Sequence, residues 1–275
     1  MIGLSTESER GMNMYFRVLF SFGISFGMGL GSGCATPMAV PSLFSPTLVE
    51  KPNEAWARVL HANVDNSGVI DFSGVNSSRQ DLDAFVYSVS QESPASAPEK
   101  FPGLYAKVAY YLNSYNALAM YNVLESGFPE NLGGWMTLKF FVLKTLDVGG
   151  QYMSLSDYEN NVIRPLGEER VNFALNCMVK GCPRLPNVPF TADHLDAELD
   201  AAAKLFLNEE RNVKVDDSQK TVYLSSILKF YTRDFTKKAP SLLSYVNRYR
   251  KQRIPEDYRV SFIPYDWTLN NRRTQ

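Results

Sequence analysis

LYAKVAYYLNSYNALAMYNVLES, residues 104–126, is the stretch on which the fold turns. Val108, Tyr111, Leu112, Tyr115, Leu118 and Ala119 recur three and four residues apart, which sets them along one side of an α-helix. Gly127 and Pro129 follow and supply a stop, so this helix is expected to be the spine of the core. Upstream, residues 54–64 carry Trp56, Val59, Leu60 and Val64 at helical spacing, and residues 81–89 carry Leu82, Phe85, Val86 and Val89. Downstream, residues 140–147 and 151–153 flank Gly149-Gly150 as a hairpin, and Ser156 with Glu159 reads as a capping box opening a helix that Pro165 ends. Residues 171–175 are apolar enough for a buried strand, and Thr191 stands as the cap of a helix whose buried face is Leu195, Leu199, Ala202 and Phe206. A second hairpin brackets Asp216-Asp217-Ser218, followed by helices at 225–235 and 241–252 and a strand at 259–263. Strands and helices mix without a regular βαβ repeat. The expected class is α+β, a helix-rich single domain with a small, mainly antiparallel sheet and a long central helix.

The chain has 275 residues, 45% hydrophobic and 21% charged, enough for one large domain with a sizeable core. Lys and Arg number 28 against 29 Asp and Glu, so no global field favours nucleic acid and no such partner is expected. Two histidines, His61 and His194, and three cysteines, Cys34, Cys177 and Cys182, are too few for a zinc ribbon, a haem pair or an iron–sulfur cluster. No metal and no cofactor is expected. Residues 236–275 hold nine Lys or Arg against three acids. Arg248, Arg250, Lys251 and Arg253 read as the wet side of an amphipathic helix, with anionic headgroups or an acidic partner as the other reading. Residues 63–74, NVDNSGVIDFSG, imitate a calcium loop, but Asn63 and Gly74 replace two carboxylates, which leaves a plain turn.

Residues 18–30, VLFSFGISFGMGL, form an uncharged apolar run after Arg17. It is short of the roughly 20 residues of a spanning helix and reads as an export signal. LGSGCA, residues 30–35, resembles the lipobox of bacterial lipoproteins, in which the cysteine, here Cys34, receives a diacylglyceryl group. Leu30 lies one place further from it than that pattern prefers. Pro37, Pro41, Pro46 and Pro52 then fit an extended spacer. The expected organisation is an export segment at 1–33, a proline-rich tether at 34–52 and a folded domain at 53–275. The expected location is the cell envelope, lipid-anchored and facing the periplasm, or periplasmic or secreted without lipidation.

NCMVKGCP, residues 176–183, sets Cys177 and Cys182 five apart in a loop. Several readings compete. In an oxidising compartment the two close a disulfide; alternatively Cys177 is a nucleophile whose thiol is acidified by Lys180 or a neighbouring base; or both stay buried thiols. A metal site lacks further ligands. Asn113 and Asn116 share a face of the 104–126 helix, within reach of this loop or of neighbouring backbone. Arg164 is placed to hold a buried carboxylate, whether Glu159, Asp234 or Asp266.

Five blocks in order resemble the DUF547 family, whose biochemical function is not established: YLNSYNAL at 111–118, MSLSDYENNVIR at 153–164, FALNCMVKGCPRL at 173–185, SSILKFYTRDF at 225–235 and YDWTLN at 265–270. Many relatives carry His where Asn172 stands, and some where Asn160 stands, so a Cys–His mechanism lacks its base here. The leading expectation is a binding or assembly module with an envelope partner or a small ligand, tied to the membrane through its lipid anchor. The alternative is a cysteine-dependent hydrolase or transferase with Cys177 as nucleophile, Glu159 orienting the site, and Asn176 or Asn116 donating to an oxyanion. Asn113, Asn116, Arg164, Asn172 and Asp266 form the expected polar network.

Overall fold

The computed structural model describes residues 35–41 and 51–272. The export segment read at 1–33 and the lipidation candidate Cys34 lie outside the described residues. The fold is helix-rich α+β with two small three-stranded sheets. Its spine is α4, Gly103–Glu125, preceded by α1 (Pro52–Asn63), α2 (Phe72–Ser77) and α3 (Gln80–Gln91). From Tyr111 to Leu124 every residue of α4 is buried, as befits a helix enclosed on all sides. The helix ends as the Gly-Phe-Pro signal requires. Gly127 takes φ +73°, its N–H reaches Leu124 O at 3.1 Å, and Phe128 N–H reaches Val123 O at 3.2 Å, the double bond of a Schellman stop. Trp56 of α1 stacks on Phe85 of α3 at 5.5 Å.

The first sheet holds β1 (Thr36–Pro37), β2 (Lys144–Val148) and β3 (Gln151–Ser154). β2 and β3 make an antiparallel hairpin across Gly149 and Gly150, both at positive φ, the two-residue turn that matches strand twist. β1 adds in parallel at the edge, where a proline without an N–H is tolerated. Met38 N–H then donates to Thr145 O at 2.8 Å, and Tyr121 OH donates to Ala39 O at 3.0 Å. Part of the span read as an extended tether is therefore packed on the fold.

The second sheet holds β4 (Val213–Asp216), β5 (Thr221–Ser225) and β6 (Arg259–Ile263), with β4–β5 an antiparallel hairpin and β6 parallel to β5. In chain order α5, Leu195–Asn208, falls between the strands of the two sheets.

Several expectations are corrected. The cap after β3 is Ser154, not Ser156: Ser154 accepts from Asp157 N and donates to the Asp157 carboxylate. It opens an α-turn at Leu155–Asp157, a π-helical stretch at Tyr158–Ile163 and a 3₁₀ turn at Arg164–Leu166. Residues 171–175 are not a strand, because Glu169–Phe173 is a 3₁₀ helix started by the Glu168 carboxylate accepting from Arg170 N. A strand would place Val171 and Phe173 on one face. Three residues per turn splay them instead, Val171 into one core and Phe173 into another. Thr191 does not cap α5; its N–H and hydroxyl both bond the Glu198 carboxylate. The helix expected at 225–235 breaks at Tyr231 into α6 (Ser226–Phe230) and α7 (Thr232–Thr236), and that at 241–252 shortens to α8, Leu242–Val246. Arg248, Arg250, Lys251 and Arg253 thus lie beyond the helix, and Arg248, Lys251 and Arg253 are exposed, as expected. Arg248 and Arg250 donate to the carbonyls of Lys238 and Leu207. In the calcium-like loop, Asp65 Oδ1 accepts from Ser67 N and Val69 N and closes a turn.

Two hydrophobic cores result. One gathers around α4; the other gathers Phe173, Phe206, Val222, Leu224, Phe235 and Tyr245. Tyr265 packs against both. Among the described residues no helix is long and apolar enough to cross a membrane.

Candidate functional site

The site lies along the seam between the cores, where the cysteine loop meets the π-helical stretch. The loop is held from beneath by α4. Asn116 Nδ2 donates to Ala174 O at 3.1 Å and its Oδ1 accepts from Asn176 N at 2.8 Å; Asn113 clamps Phe190 in the same two-handed way. Asn176 is fully buried and bonds Pro183 O and Met178 N. Its side chain is committed to its own loop, so it offers no oxyanion donor to a substrate.

From above, the loop pairs with the C-terminal segment. Asn270 N–H donates to Met178 O, Lys180 N–H to Thr268 O and Gly181 N–H to Asp266 O, at 2.8–2.9 Å. Glycine at 181 is a steric necessity, since a Cβ there would sit 2.8 Å from the Tyr265 ring and 2.9 Å from Asp266 O. That close approach sets the Tyr265 hydroxyl 3.2 Å from the sulfurs of both Cys177 and Cys182. The two sulfurs stand at disulfide distance, with Cα atoms 6.3 Å apart. Cys182 is buried, whereas Cys177 is half-buried. Asp266 belongs to this turn, accepting from Thr268 N, and takes no part in holding Arg164.

The π-helical stretch supplies the opposite wall. Glu159 accepts from Tyr115 OH at 3.2 Å and from Tyr231 OH. Burial raises its carboxyl above the usual range, against the opposing pull of the Tyr231 hydroxyl, the Arg164 charge and the Tyr115 hydroxyl. Burial likewise pushes the hydroxyls of Tyr115, Tyr231 and Tyr265 upward, so all three remain donors. Arg164 forks onto Asp234 at 2.7 and 3.1 Å, lies 4.9 Å over the Tyr231 ring and donates to Asn160 Oδ1. Of the three carboxylates open to Arg164 from sequence, Asp234 is the partner. Asn172 Nδ2 donates to Glu169 O and Asp234 Oδ2, and its Oδ1 is buried with no hydrogen-bond partner among the described residues.

Two small cavities meet here. The outer, about 70 Å³, is lined by Glu159, Cys177 and a run of aromatic rings; the inner, about 30 Å³, adds Asn172 and Cys182. Phe141, Trp267, Tyr265, Phe230 and Tyr231 follow one another edge to face, at interplanar angles of 64°, 68°, 63° and 87°.

The structure thus brings Cys177, Cys182, Glu159 and Asn172 together, with Arg164 just behind them. It assigns Asn113, Asn116 and Asn176 to backbone clamping. His61 and His194 are exposed, and neither lines either of these two cavities. Sequence reasoning passed over Tyr265, Tyr231 and Trp267. The signal was present: Tyr265 and Trp267 alternate in an extended YDW, which points both to one side. Among the described residues no three His, Cys, Asp or Glu gather as a metal site.

Residues 104–207 match the family model described as Protein of unknown function, DUF547, so a DUF547 domain is present in the chain. That match takes in α4, the π-helical stretch, the cysteine loop and α5. Tyr231, Asp234 and Tyr265, which complete the site, lie beyond its end. No curated protein and no solved structure matches the chain significantly.

Proposed function

We propose that the chain is an exported, lipid-anchored envelope protein whose domain is a binding or assembly module, with the aromatic cavity beside Glu159 as its ligand site. The observation that carries this reading is the pairing of Cys177 and Cys182 beneath the Tyr265 hydroxyl, with no imidazole among the described residues lining the cavities beside them. A bridged cysteine is no nucleophile, and a structural bridge belongs to an oxidising compartment. The apolar run at 18–30 and Cys34 support the same compartment, with 1–33 as the export segment and Cys34 as the acylated residue.

One observation favours a second reading. Cys177 lines both cavities and is half-buried, while Cys182 is buried. Once reduced, Cys177 is the accessible thiol, beside Glu159, as a cysteine-dependent hydrolase or transferase requires.

Intact mass spectrometry of the envelope-purified protein, with rapid thiol trapping before and after reduction, separates the two. The binding module shows a chain beginning at acylated Cys34, with Cys177 and Cys182 two hydrogens lighter and untrapped. A Cys177 that labels at once in the native protein sinks that reading in favour of the enzyme.

A further inference from the structure

Asn172, on the wall of the inner cavity, carries an acceptor without a donor. The Asn172 amide is oriented by two acceptors, Glu169 O and Asp234 Oδ2, which take its Nδ2 and fix Oδ1 as the atom without a partner. That oxygen is buried, and Asn172 and Glu159 both line the inner cavity. A buried acceptor left unpaired is costly, and a donor from a ligand removes that cost.

Charge runs the same way. Glu159 and Asp234 bring two carboxyls and Arg164 brings one guanidinium, which is committed to Asp234 and Asn160. Among the described residues no Lys, Arg or His lines either cavity. An anionic ligand meets a carboxyl with no counter-charge at the wall. A cationic ligand meets a carboxylate inside a belt of π faces and edges, the surroundings that favour a desolvated ammonium.

We propose that this cavity binds a protonated primary amine, its N–H groups donating to the Glu159 carboxylate and Asn172 Oδ1 and its adjoining carbons lying against the rings of Tyr265, Phe230 and Trp267. A quaternary ammonium satisfies the aromatic belt but has no N–H for Asn172. The combined size of the two cavities selects a terminal amine or a short alkyl chain over a bulky base. This assignment rests on the reading of the cavity as a binding site.

The test is calorimetric titration of the oxidised full chain with n-butylammonium chloride, 1-butanol and tetramethylammonium chloride. The amine is expected to bind at least about tenfold more tightly than either comparator, the difference between a charge-assisted and a neutral or absent hydrogen bond. Glu159→Gln, which keeps the shape of the side chain, is expected to lower amine affinity by a similar factor and to leave 1-butanol unchanged. If 1-butanol or tetramethylammonium binds as tightly as the amine, the amine assignment falls while the binding pocket stands. If none of the three binds, the pocket itself is overturned. The comparison among ligands uses the native chain and does not depend on the variant folding.

Discussion

At Glu159 burial and hydrogen bonding pull against each other. Tyr115 and Tyr231 donate to it and Arg164 lies near, yet desolvation prevails and its carboxyl titrates above the ordinary range. A carboxyl raised in the folded state holds its proton over a window in which the unfolded chain has already lost it. The native state then binds more protons than the unfolded state, and stability falls as pH rises. The contribution is fully present below the unfolded value of about 4.3 and is lost as pH climbs through the folded value. Glu159→Gln removes the titrating group and keeps the shape. Its stability relative to the parent, read from urea midpoints, is expected to improve from pH 4 to pH 7; a difference that stays flat over that interval shows a carboxyl that is effectively solvated. Asn116 acts at the same scale by a different means. Asn116→Ala strips a donor from Ala174 O and an acceptor from Asn176 N, both buried, and is expected to cost about 2–4 kcal/mol in urea denaturation. A loss below about 0.5 kcal/mol means that water replaces the amide, and the clamp is then not what holds the loop.

Among the elements, the cysteine loop depends on two features that act on different states of the chain. A bridge between residues five apart in sequence closes a short loop, and loop-closure entropy gives it about 2 kcal/mol. The Cys177→Ser/Cys182→Ser double variant is expected to lose that amount; no loss places the two thiols unbridged in the native protein. Gly181→Ala acts on the folded state, driving a methyl into the Tyr265 ring and the Asp266 carbonyl. It is expected to destabilise by about 1–3 kcal/mol and to speed reduction of the pair by dithiothreitol, because Tyr265 can no longer sit over both sulfurs. An unchanged reduction rate removes Tyr265 as the cover. Elements of this kind were only partly legible from the residues. α4, its Schellman stop and the Gly149-Gly150 turn follow from spacing and glycines and the second hairpin from its Asp-Asp-Ser turn, since the information is local, although residues 139–143, expected to begin a strand, are π-helical. The π-helical stretch, the 3₁₀ helix at Glu169–Phe173 and the break at Tyr231 do not. Each carries a side chain held by a distant partner: Glu159 by Tyr115 and Tyr231, Asn172 and Arg164 by Asp234. For the same reason the cysteines and Glu159 stood out as site residues, and the tyrosines that position them did not.

At the scale of the molecule, the question is whether the two cores melt as one. Several ties cross the seam, among them the 3₁₀ helix that sends Val171 one way and Phe173 the other, Tyr265 packed on both sides, and α5, whose Leu195 and Leu199 lie in one core and whose Phe206 and Leu207 lie in the other. Phe173 stacks on Phe235 at 5.2 Å and lies 6.4 Å from Tyr245, so its loss opens a cavity in the second core alone. Phe173→Ala is expected to cost about 3–5 kcal/mol. Where that cost appears tells how the cores are joined. If the ties couple them, amides in α4 lose hydrogen-exchange protection by the same factor as amides in β5, although α4 is untouched by the substitution. If β5 opens while α4 keeps its parent protection, the seam is a boundary between separately unfolding units. The cavity at Glu159, walled by Tyr115 from one core and Tyr231 from the other, would then open and close with them. The bidentate Arg164–Asp234 pair, which joins the π-helical stretch to α7 across that same seam, argues for the coupled outcome, since parting the cores leaves two opposite charges half-buried and unpaired.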